Sequence, residues 1–128
     1  MIIKNESELM ALHRAIVEAK FKESHLDPAI PYSGILSDLS ERIVTSIIQK
    51  LSDNGEDEEA QSWSSIVKLD KNWDGYVYIQ SWIKKTDSWT SMSADDKSKY
   101  IKVLCSPYQP SKQQESDLIK MGNEHWKT

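Results

Sequence analysis

The side chains able to do nucleophilic, metal or phosphate chemistry are few and scattered. The sole cysteine is Cys105, and the three histidines are His13, His25 and His125. Structural zinc needs four ligands, in closely spaced pairs, and no such spacing is present. Cys105 falls near the C-terminal end of an expected helix, where the helix dipole disfavours a thiolate. No Gly-x-Ser-x-Gly elbow occurs. Glycines stand only at 34, 55, 75 and 122, which leaves no Gly-rich phosphate loop or dinucleotide fingerprint. His13, at the border of an apolar helix face, reads as structural. The expectation is therefore no catalytic constellation and no cofactor, and a small enzyme with a noncanonical site ranks third among the functional readings.

One local pattern has a ligand-like spacing: Asp70-Lys71-Asn72-Trp73-Asp74-Gly75. It resembles the start of an EF-hand calcium loop, with oxygen donors at the first, third and fifth positions and the turn glycine at the sixth. Val77 stands at the eighth, where such loops place an aliphatic residue. The twelfth position should be a bidentate glutamate and is Ser81, one neutral oxygen in place of two charged ones. The main expectation is no metal, with 70–75 an Asx-rich turn in which Asn72 or Asp74 caps the next helix. The alternative is a divergent calcium-binding helix–loop–helix with Asp70, Asn72 and Asp74 as ligands.

The other conspicuous group is aromatic. Trp63, Trp73, Tyr76, Tyr78, Trp82 and Trp89 lie in the middle of a chain with a single Phe. Trp and Tyr suit half-buried positions and partner interfaces, because an apolar ring carries a polar tip. Trp73 sits among polar residues and is the expected exposed anchor. Beside these aromatics runs an acidic stretch, Asp53 to Glu59, that reads by itself as a solvated loop. Residues 1–60 hold 6 Lys/Arg against 12 Asp/Glu, while residues 61–128 hold 10 against 8. The acidic half repels phosphate backbones and attracts basic partners. Lys97, Lys99 and Lys102 make a small basic patch around Tyr100, but Arg14 and Arg42 are the only arginines. No nucleic-acid partner is expected.

These residues need helices to position them. Leu9, Leu12, Ile16 and Ala19 recur at helical spacing and predict a helix over 6–22, capped by Asn5 or Ser7. Pro28 and Pro31 predict an extended connection whose Ile30 and Tyr32 dock on the core. Ser33 then caps a helix ending near Ser52, with Leu36, Leu39, Ile43, Ile47 and Leu51 in one stripe and Ser37 on the polar side. A third helix is expected over 57–69, with Ala60, Trp63, Ile66, Val67 and Leu69 supplying apolar surface. Residues 76–85 have β-rich composition, yet Tyr76, Ile79, Trp82 and Ile83 fit a helix face and no partner strand is evident. Ser93 opens a further helix that Ser106-Pro107 stops, and Ser111 with Gln114 forms a capping box for the last. Gly122 is the expected C-terminal cap, with His125 and Trp126 in a short tail. The whole, 1–128, reads as one compact all-α domain of five or six helices.

The acidic run and Trp63, Trp73 and Tyr76 on a small single domain resemble, in general character, the small bacterial immunity proteins of contact-dependent inhibition and related toxin–immunity systems. The resemblance implies tight one-to-one binding to a cognate toxin domain in the cytoplasm, and it transfers no site residue. The leading expectation is thus a protein-binding inhibitor whose partner surface comprises Glu56, Asp57, Glu58, Glu59, Trp63, Trp73 and Tyr76. A single cysteine favours a reducing compartment. The N-terminus lacks the apolar region of a signal peptide, and no stretch approaches the length of a membrane span. A soluble, cytoplasmic protein is expected.

Overall fold

Four of the six helices of the described residues start where a side chain accepts from one of their first free N–H groups. The computed structural model describes residues 5–127. The Asn5 carboxamide accepts from the Glu8 N–H and opens α1, Glu6–Lys20. Ser33 does the same for α2, Gly34–Asp53. Gly55, at φ +76°, takes the left-handed conformation that separates α2 from α3, Asp57–Ile66. Then come α4, Asp74–Lys84, and α5, Ala94–Cys105, the latter capped by Ser93. A full capping box between Ser111 and Gln114 opens α6, Lys112–His125. Two 3-10 turns, Ile30–Tyr32 and Trp89–Ser91, complete the order, and the described residues contain no strand. The described residues form an all-α domain of six helices.

Apolar burial divides into two clusters. Leu9 and Ile16 of α1, Ile43, Ile47 and Leu51 of α2, and Ala60 of α3 form the first. The second gathers Leu69, Ile79, Trp82, Ile83, Trp89, Ile101, Leu104, Cys105 and Leu118 from the second half of the chain. The expected helix over 76–85 is present through Lys84, because Ile79, Trp82 and Ile83 must all reach this one core and only a helical period puts them on one face.

Several boundaries differ from expectation. The first helix stops at Lys20, where Phe21 closes it. The connection after it holds a 3-10 turn with Pro31 buried, where the prolines predict an extended connection. The third helix ends at Ile66, and Val67–Leu69 instead pair with Gln109: the Leu69 N–H donates to Gln109 O at 2.9 Å and the Gln109 N–H to Val67 O at 2.6 Å. Ser37 is buried, not on a solvated face. Gly122 does not terminate α6. It lies buried inside the helix, where a Cβ would come 2.6 Å from the Trp89 ring, so the glycine is there for close packing.

Candidate partner-binding surface

The acidic run becomes the start of α3. Glu56 is its N-cap residue and Asp57, Glu58 and Glu59 fill its first turn, where the positive end of the helix dipole favours them. All four are exposed. The ion pairs among the described residues are Arg42–Asp38 and Lys99–Asp95, so these four carboxylates carry no ion pair there. No Lys or Arg occurs between Lys50 and Lys68. The patch is therefore a negatively charged helix end with no ion pair among the described residues.

Trp63 points the other way. It is half-buried against the first cluster and meets the His13 ring edge-on, with centroids 5.1 Å apart. His13 is itself buried, and its Nδ1 has no hydrogen-bond partner. Burial, with help from Arg14, lowers its pKa and keeps the imidazole neutral. This pair is a packing contact between α1 and α3.

Trp73 is not the exposed anchor that its polar neighbours suggested. Its half-buried ring folds back over Gly75, where a Cβ would lie 2.3 Å from it. Phe21 and Tyr108 flank it at centroid distances of 4.8 and 4.6 Å. One edge of this stack borders a groove of about 240 Å³ lined by Ile66, Lys68, Asp70, Trp73 and Tyr108. Ile66 is 55 % exposed beside it. Tyr76 is half-buried against the second cluster. Its pKa is raised by burial first, then by Asp117 and Cys105.

The seven residues expected to form one interface thus separate. Glu56–Glu59 occupy one end of α3 and Trp73 lies at the groove beyond the other, a helix length of about 15 Å away. Trp63 and Tyr76 face cores. Ile66 and Tyr108 complete the groove. The first was assigned to the apolar face of a longer helix, and the second lies between Pro107 and Pro110 with no periodicity to mark it.

The segment 70–73 is a turn that leads directly into α4. Asp70 Oδ1 accepts from the Asn72 N–H at 2.9 Å, and the Trp73 N–H donates to Asp70 O at 3.1 Å. Trp73 is the N-cap residue, without a side-chain cap, so neither Asn72 nor Asp74 caps α4. Helix begins at Asp74, and Ser81 lies well inside it. The chain consequently runs straight where a calcium loop must curl to bring its later oxygens round the ion. No group of three or more His, Cys, Asp or Glu side chains converges among the described residues.

Cys105 is buried, and burial pushes its thiol up to about 12 against the opposing pull of Lys20. Lys97 donates to Asn123 Oδ1 at 2.8 Å and covers the Trp89 ring, while Lys99 pairs with Asp95. Two of the three patch lysines are thereby engaged within the protein. No helix of the described residues is long and apolar enough to cross a membrane. Comparison with family models, curated proteins and solved structures finds no match.

Proposed function

We propose that this chain is a protein-binding inhibitor acting one-to-one on a partner with a basic surface, in the manner of an immunity protein and its toxin, and that it works in the cytoplasm. The observation that carries the reading is the N-cap and first turn of α3: four exposed carboxylates with no ion pair among the described residues, on a helix whose far end meets a groove in which Ile66, Trp73 and Tyr108 stand beside Lys68 and Asp70. An exposed acidic turn of this kind attracts a cationic surface and steers its docking. The groove of Ile66, Trp73 and Tyr108 offers apolar contact area to the same partner. Its aromatic rings are the residue types that dominate binding energy at interfaces.

The test is surface plasmon resonance against a partner recovered by pull-down from the source cell. Replacing Glu56, Asp57, Glu58 and Glu59 with their amides should slow association and flatten its salt dependence. Ile66→Asp should speed dissociation, by about 30-fold if Ile66 contributes ~2 kcal/mol. Trp73→Ala should do likewise, with a melting curve as control because its ring also packs inward. Wild-type rates for both the amide variant and Ile66→Asp would remove this surface from the interface.

A further inference from the structure

Leu26 lies in the connection between α1 and α2 and is 105 % exposed, as open to water as in an extended peptide. A single exposed leucine is ordinary on a protein surface, but this one stands beside a hole. Its neighbours in sequence, His25 and Pro28, line a cavity of about 190 Å³ together with Pro31, Trp82, Glu23 and Lys85. Leu26 is not among the residues lining it. Pro31 and Trp82 are buried, and Trp82 belongs to the second core cluster. The cavity thus offers apolar surface, and its own chain leaves it unfilled.

The loop that carries Leu26 is tied on both sides. His25 Nε2 lies 2.5 Å from Lys20 O at the end of α1. On the other side, Asp27 Oδ1 accepts from the Ala29 N–H at 3.0 Å, and Asp27 O from the Ile30 N–H at 3.3 Å. Part of the ordering that docking requires is therefore already in place. The charges beside the cavity are of opposite sign. Glu23 and Lys85 are both exposed, and neither belongs to an ion pair among the described residues.

A projection, a receptacle, an acid and a base on one patch meet the requirement of a twofold contact, in which one surface must complement itself. We propose that this face is a homodimer interface: Leu26 of each copy enters the other copy's cavity, and Glu23 of each meets Lys85 of the other. A second copy matches all four features at once, whereas a foreign partner has no need of a leucine placed next to its own receptacle. The inference does not rest on the partner surface described above. The patch shares no residue with the acidic turn of α3 or with the groove at Trp73.

Sedimentation equilibrium of the full chain tests this, with circular dichroism to verify that each variant is folded. The wild-type chain should dimerise at sub-millimolar concentration, and a chain still monomeric at about 1 mM overturns the proposal. Leu26→Asp alters a side chain with no packing role in its own chain, yet removes two buried leucines from each dimer. It should raise Kd by about 100-fold or more, and an unchanged Kd would take the interface elsewhere. Glu23→Lys and Lys85→Glu each set like charges together at two symmetric points, and each alone should weaken the dimer roughly tenfold. Mixed in equal amounts, these two variants have opposite charges at both points and should recover the wild-type Kd as a heterodimer. A mixture no more associated than its separate components would refute the symmetric arrangement.

Discussion

Replacing Gly122 by alanine sets two effects of opposite sign against each other. In an exposed helix interior the change stabilises by about 1 kcal/mol, through helix propensity. At Gly122 the new Cβ would stand 2.6 Å from Cε2 and Cζ2 of Trp89 and 2.8 Å from Cγ2 of Ile83. Neither neighbour can withdraw, since both are fully buried, and Trp89 is also pinned by its Nε1 hydrogen bond to Asn123 at 3.0 Å. Overpacking of a tight core costs about 1–3 kcal/mol, and contacts this short belong at the upper end. The net expectation for Gly122→Ala is a loss of about 1–2 kcal/mol in urea unfolding, or roughly 4–8 °C in Tm. Gly34→Ala supplies the control: it stands at the start of α2 with nothing within 4 Å of a built Cβ, so propensity acts alone and stability should hold or rise. A Gly122→Ala variant as stable as the parent would refute the claim that α6 needs a glycine to pass Trp89.

Two further outcomes follow from charge and geometry. The folded Lys20 pKa of about 7 lies below its ordinary 10.5, so between those values the unfolded chain binds more protons and stability rises with pH. The gain from pH 7 to 8.5 should be about 1.5 kcal/mol by urea unfolding, and flat in Lys20→Met. Millimolar calcium should leave the melting temperature unchanged, because α4 starts at Asp74. A rise abolished by Asp70→Ala would restore the metal reading.

The helices were legible because each carries its own local signal. Leu36 to Leu51 keep one phase through α2, and Ser33, Ser93 and Ser111 cap as their types predict. Even the β-rich Tyr76–Ile79 stretch yields to the spacing of Ile79, Trp82 and Ile83. What failed depended on distant partners. Ser37, Ser40 and Lys20 look like surface residues until α5 brings Val103 and Ser106 against them, more than sixty positions away in sequence. Ile66 was assigned inward by a helix extended to 69. The helix stops at 66, the pairing with Gln109 turns Val67 and Leu69 inward, and Ile66 is left out. Trp73 shows that a polar loop does not fix a ring's direction, since Gly75 leaves room for it to fold back.

The separation along α3 sharpens the binding test. The carboxylates of Glu56–Glu59 and the groove at Ile66 are about 10–15 Å apart by helix rise, beyond the Debye length of ~8 Å at physiological salt. A charge change at one end is therefore screened from the other. It should alter how often partners meet without altering how long the groove holds them. Sites this far apart, with no shared partner, add in free energy to within about 0.5 kcal/mol. A variant carrying the four amide substitutions together with Ile66→Asp should thus combine the slow association of the first with the fast dissociation of the second, and its log Kd change should equal their total. Marked non-additivity would mean that a single partner element bridges both ends, or that the amides alter α3 itself. Helix content by circular dichroism separates these. If α3 stays intact, the acidic turn and the groove are one site rather than a steering patch and an anchor.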